Sequence, residues 1–190
     1  MRFTQGQDFV RFELVASALL VAVAFAWSAL RGLHLLDALM PSIAAVGIGT
    51  ASGLALAATL PLVTAPWARR VLVLRGLRRA WDALESGLGP GLGLPAVLVL
   101  AFCSAVSEEA FFRGVLQPEI GITATSALFG LLHPLGVAYV LWAGVVGAGL
   151  GLLFTTTGSL AAPIAAHGVY NLVALAYLRR RSARGERHQR

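Results

Sequence analysis

Apolar residues in this chain fall in long, nearly unbroken runs, and the polar residues gather between them. A transmembrane helix needs about 20 mostly apolar residues. The first such run extends from about Phe9 to Leu30 and stops at Arg31. A second, from about Leu35 to Thr64, is too long for one straight span and contains Pro41, which predicts a tilted or broken helix. Beyond Gly93 the runs 94–118, 122–138, 139–157 and 159–178 are separated by turn signals at Gln117-Pro118, at Pro134 with Gly136, and at Thr157-Gly158. These patterns predict an all-α, polytopic transmembrane helix bundle of about six spans. Four segments follow from them: a two-span hairpin over 1–65, a basic interfacial helix and loop over 66–93, a four-span core over 94–178, and a tail over 179–190.

The segment "APWARRVLVLRGLRRAWDALESGLGPG" (65–91) breaks the apolar pattern. Arg69, Arg70, Arg75, Arg78 and Arg79 alternate there with Val, Leu and Trp, as in an amphipathic helix lying on a membrane surface; a lid over a substrate path is the second reading. The tail "RRRSARGERHQR" is polar and basic and reads as disordered.

Composition agrees with the runs. The chain of 190 residues is 57% hydrophobic, with mean hydropathy +0.77, and 13% charged. A soluble domain carries about twice that share of charge. The net charge is +6 with no Lys, so every basic side chain except histidine is Arg. Because the arginines cluster beside apolar runs, anionic lipid headgroups explain them and nucleic acid is not an expected partner. Two spans separate the N-terminus from the arginine segment, and four more separate that segment from the tail. The positive-inside rule then puts all three on the cytoplasmic side of a multi-pass protein of the plasma (cytoplasmic) membrane. A signal-peptide reading of Leu14–Leu30 is weakened by Asp8 and Glu13, so the run reads as a retained first helix. Cys103, the only cysteine, excludes an internal disulfide and reads as packing. Gly49-x-x-x-Gly53 and Gly147-x-x-x-Gly151 mark close helix contacts.

Candidate chemistry sits in "SEEAFFRGVLQP" (107–118). Between residues 92 and 178 the charged residues are Glu108, Glu109, Arg113 and Glu119, and the histidines are His133 and His167. Glu119 follows Pro118 and is expected in the interface. A charged side chain at a helix centre costs about 2.5–3.5 kcal/mol, so the others need partners or a wet pocket. Glu109 and Arg113, at i and i+4, share a face and can pair. Glu108 points about 100° away without a local partner, free to take and return a proton. Counted from one end of their spans, Glu108, His133 and His167 all fall roughly 12–17 Å deep, near the middle of a core about 30 Å thick. His133 precedes Pro134, which disfavours helix there, and broken backbone at that depth must line protein or a cavity. His167 and Asn171 share a face, as do Phe129 and His133. Each feature alone has a structural explanation, such as a helix-locking ion pair or an interhelical hydrogen bond. Their shared depth favours a functional site.

Glu108-Glu109-x-x-x-Arg113, Phe129-x-x-x-His133 and His167-x-x-x-Asn171 resemble, in order and spacing, the three motifs of the CPBP family of intramembrane endopeptidases, also called the CAAX-protease or Abi family. The resemblance covers roughly residues 94–178. It implies a helical membrane core that hydrolyses peptide bonds of a membrane-associated peptide or protein, prenylated CAAX tails among them. It further implies that Glu108, helped by His133, activates a water, that His167 and Asn171 hold the oxyanion, and that Glu109 and Arg113 orient the pocket. Zinc held by Glu108, His133 and His167 suits the same side chains, with a position open for water, and so does a metal-free glutamate mechanism. Two readings compete: a proton-coupled carrier, which buries similar residues but predicts paired repeats, and a non-catalytic immunity or scaffold protein. A serine protease lacks a nucleophile turn around Ser107 or Ser159.

Overall fold

The computed structural model describes residues 5–88 and 92–188; residues 89–91 of the basic segment's loop and 189–190 of the tail lie outside them. Among the described residues the chain is helical, without strands, and five stretches are long and apolar enough to cross a membrane: Asp8–Arg31, Ile43–Thr64, Leu94–Leu131, Val137–Thr157 and Ala161–Ala183. Large apolar side chains such as Phe12, Leu19, Ile43, Phe102, Leu141 and Val145 face outward along them, as a lipid solvent allows. The chain is an integral membrane protein.

Helix α1 (Gln5–Arg31) runs parallel to α6 (Leu94–Phe111): Val10 packs on Leu92, Val97 and Leu100, Ser17 meets Ser107, and Arg31 reaches Glu119. The second apolar run is broken, as Pro41 predicts, into α2 (Leu35–Leu39), α3 (Ile43–Ala57) and α4 (Leu60–Thr64). Gly49 and Gly53 of α3 lie directly on the backbone at Ala162 and Ala166 of α9 (Ala161–His188), where any side chain would collide with a carbonyl oxygen. After a 3-10 turn at Pro66–Arg70 comes α5 (Leu72–Leu88), amphipathic as expected, with Leu77, Ala80, Trp81 and Leu88 turned inward. Arg78 is buried with them, donating to the Thr64 carbonyl and, at 2.8 Å, to Asp82. The N-terminal end of α1, helix α5 and the C-terminal part of α9 therefore share one end of the bundle, where Arg181 meets Glu85 at 3.4 Å.

Three expectations need correction. First, the turn after 118 falls at Gly121. Pro118 is accommodated in the first turn of α7 (Gln117–Leu131), where a helix has no use for its missing N–H. Gly121 adopts φ +79°, a conformation that only glycine adopts readily, and reverses the chain there. Second, the run 122–138 is not a full span. Its helix stops at Leu131, ten residues after the kink and about 15 Å long, half of a hydrocarbon core. Residues 132–136 are non-helical around His133-Pro134, and α8 (Val137–Thr157) starts after Gly136. Third, the basic tail continues α9 as helix to His188 instead of being disordered. Arginine is a good helix former, and the ion pair of Arg181 with Glu85 anchors the extension to α5.

A π-helical turn, Phe112–Leu116, joins α6 to α7. Such turns add a residue to the helix and recur at functional sites. This one carries Arg113 and lies one turn beyond the two glutamates.

Candidate active site

Helix α6 places Glu108 and Glu109 on different faces. Glu109 points into the bundle and is fully buried, as is Arg113. Arg113 Nη1 donates to Glu109 Oε1 at 3.2 Å, and its Nη2 donates to the Gly147 carbonyl of α8 at 2.9 Å. The guanidinium also lies 4.5 Å from the centre of the Phe129 ring. Arg113 Nε approaches Glu109 Oε2 at 3.2 Å without hydrogen-bond alignment, so charge rather than proton donation joins those atoms. The expected pair thus exists, and it ties α6, α7 and α8 together.

Glu109 has a second partner that helix periodicity did not indicate. His167 Nδ1 of α9 lies 2.8 Å from Glu109 Oε1. A carboxylate accepts, so Nδ1 carries the proton and the rest of the imidazole faces the cavity. Counting depth along spans placed Glu108, His133 and His167 in one layer but said nothing about how each helix is rotated.

Glu108 faces His133. The end of a helix leaves carbonyls unpaired, and His133 Nδ1 donates to one of them, Phe129 O, at 2.6 Å. In the neutral ring that bond puts the proton on Nδ1 and the lone pair on Nε2, which lies 3.9 Å from Glu108 Oε2. The gap is too long for a direct hydrogen bond, and Glu108 Oε2 is buried without a hydrogen-bond partner. The Phe129 ring, 4.6 Å from His133 and 6.1 Å from His167, is the apolar wall between the two imidazoles.

Asn171 Nδ2 donates to Ser104 Oγ at 3.0 Å. Ser104 had not been singled out, although its place four residues before Glu108 puts it on the same face of α6. Tyr139 and Trp142 of α8 were also missed; nothing in the apolar run 139–157 distinguishes them. Glu108, His133, His167, Asn171 and Ser104 all line one cavity of about 500 Å³, which extends to Trp81, Leu84 and Leu88 of α5. Glu119 stands apart and pairs with Arg31 at 2.9 Å on the opposite end of the bundle.

Zinc held by Glu108, His133 and His167 requires three donors aimed at one point. Glu108 and His133 meet that demand in part. His167 is turned to Glu109 through Nδ1, and among the described residues no group of three or more His, Cys, Asp or Glu gathers as a metal site. Both imidazoles are held through Nδ1, which leaves Nε2 as the nitrogen that a metal would take.

Comparison with known proteins covers this same half of the chain. Residues 90–173 match the family model of the Rce1-like type II CAAX prenyl endopeptidases. A curated relative, "Uncharacterized protein YpbD" of Bacillus subtilis (strain 168), is 33% identical over 98 residues, which is 50% of this chain and 52% of that protein. The chain thus spans about half the length of that relative. No solved structure matches it. The matched stretch carries Glu108, Glu109, Arg113, His133, His167 and Asn171, and over it the helical core of this chain is similar to the Rce1-like type II CAAX prenyl endopeptidases.

Proposed function

We propose that the protein is an intramembrane endopeptidase that hydrolyses a peptide bond of a membrane-associated peptide or protein, lipidated C-terminal tails included, with a water activated by Glu108 and His133. The observation that carries this reading is Glu108 Oε2, buried without a hydrogen-bond partner, with His133 Nε2 3.9 Å away on the same cavity. A water about 2.8 Å from both would see them at an angle of roughly 90°, close to its own bond angle. It would donate one hydrogen to each, and a lone pair on its oxygen would remain for a substrate carbonyl.

The chemistry then balances with the chain's own groups. The water oxygen bonds to the carbonyl carbon while its proton passes to Glu108. The carbonyl oxygen becomes an oxyanion, for which Asn171 Nδ2 and the cavity side of His167 would be the donors. Collapse breaks the C–N bond, and the departing amine takes the proton from Glu108. With both carboxylates ionised, Glu108, Glu109 and Arg113 sum to one negative charge. A proton on His167, beside Glu109, would balance that charge and give Nε2–H as a donor. In this reading Glu109 and Arg113 do not touch substrate and act as positioning residues.

The test is hydrolysis of a fluorogenic, lipidated peptide in liposomes. Glu108→Gln and His133→Gln are each expected to lower kcat by about 10²–10⁴, the range for loss of a general base, with helical content and thermal stability retained. Wild-type turnover in all variants would remove the assignment. A chelator arm separates glutamate from metal chemistry: activity that survives chelation and is not raised by added zinc supports the water held by Glu108 and His133 alone.

A further inference from the structure

The first span lies outside the residues that match the family, yet Phe9, Phe12, Glu13, Ala16, Ser17 and Leu20 of α1 line the cavity. Glu13 and Glu108 are the carboxylates among its described lining residues. An ionisable group inside a span is expensive and marks a function by default. Glu13 takes no part in the chemistry derived above and makes no ion pair with the basic residues of α5. It is held in place by Ser17 Oγ, which donates to Glu13 Oε1 at 2.9 Å and lies 3.0 Å from Ser107 Oγ. Ser107 is itself 1% exposed, bonds the Cys103 carbonyl at 2.8 Å and immediately precedes Glu108.

This contact fixes where Glu13 stands. Ser17 is level with Ser107, hence with the Glu108 layer. Glu13 lies one helical turn, about 6 Å, nearer the end of the bundle where α5 sits. An extended peptide advances about 3.3 Å per residue. A side chain roughly two residues from a bond held at Glu108 therefore comes level with Glu13. The cavity wall there offers no basic side chain: Ser104 and Asn171 are neutral and bonded to each other, and the buried Arg113 is engaged by Glu109 and Gly147. A cation supplied by the bound peptide is the chemistry this carboxylate fits.

We infer that Glu13 is a specificity-determining residue that selects a peptide with a lysine or arginine about two residues from the cleaved bond, on the side that runs toward α5. The word "cleaved" rests on the peptidase reading above, so binding and turnover must be measured separately. The probes are lipidated, fluorescent octapeptides in phosphatidylcholine vesicles, each with one lysine or one norleucine at successive positions. Anisotropy gives Kd and hydrolysis gives KM. At one position, or two adjacent ones, the lysine peptide is expected to bind about tenfold more tightly than its norleucine twin. Glu13→Gln, which keeps the acceptor for Ser17, should erase that ratio, and Glu13→Asp should restore part of it. A lysine-to-norleucine ratio equal in wild type and Glu13→Gln at every position overturns the inference, as does an equal loss for both peptides, which marks a tether only. A ratio dependent on Glu13 in binding, without hydrolysis of any peptide, upholds Glu13 and sinks the peptidase reading instead.

Discussion

Replacing Arg113 by methionine tests how the buried charges hold three helices together. The side chain is fully enclosed and engages Glu109 twice at 3.2 Å, the Gly147 carbonyl at 2.9 Å and the Phe129 ring at 4.5 Å. Methionine restores much of the volume but leaves Glu109 with His167 as its remaining partner. Removing one member of a buried ion pair costs about 3–5 kcal/mol, because the other charge stays desolvated. Glu109→Gln makes the converse error, with Arg113 left beside a neutral amide, and about 3 kcal/mol is expected. The double variant buries neither charge of this pair. Its loss should be about 4 kcal/mol rather than the sum of about 7, a coupling of about 3 kcal/mol. Unfolding in mixed micelles with rising SDS, followed through the four tryptophans, gives the three free energies. Costs that add to within about 0.5 kcal/mol would refute the claim that Glu109 and Arg113 act as one unit.

Other outcomes follow from contacts already described. Gly53→Val puts a branched side chain against the Ala166 carbonyl and Val169, so α3 must part from α9; destabilisation of at least about 1–3 kcal/mol is expected in the same unfolding assay. Arg78→Met removes the donor to Thr64 O and Asp82, and limited proteolysis should then cut α5 faster while α6–α9 stay protected. By contrast, Arg31→Ala breaks a pair whose arginine side chain is 60% exposed, and stability should change by less than about 1 kcal/mol. Asn171→Ala should lower kcat for the lipidated peptide by about 10²–10³ with KM little changed, as expected for an oxyanion donor; a rise in KM alone would reassign Asn171 to substrate binding.

The sequence revealed types and depths better than directions. Glu108, His133 and His167 could be placed in one layer because rise per residue is fixed, and the structure brings them to that layer. The i, i+4 spacing of Glu109 and Arg113 sufficed for their ion pair. The bond from His167 to Glu109 was not legible, because rotation of a transmembrane helix about its axis is set by packing, here by Gly49 and Gly53 against α9. Pro41 announced a break correctly. Pro118 did not, since proline at a helix start is tolerated and the following glycine took the turn. The run 122–138 had the length and apolarity of a span; only the incompatibility of His133-Pro134 with helix hinted that half of it would be loop. In the tail, arginine density suggested solvation, whereas Glu85 on a distant helix made the same arginines an anchored extension.

The brevity of α7 bears on how water reaches Glu108 and His133 within hydrocarbon. A ten-residue helix cannot match the acyl chains of both leaflets, so the bilayer beside it must pinch inward or leave the backbone of 132–136 wetted. Either outcome makes a shallow dimple on that flank, ending at His133. Turnover should then fall as the host phospholipids lengthen, because a thicker bilayer fills the dimple. Host-lipid thickness would thereby set the hydration of the site without touching a single side chain.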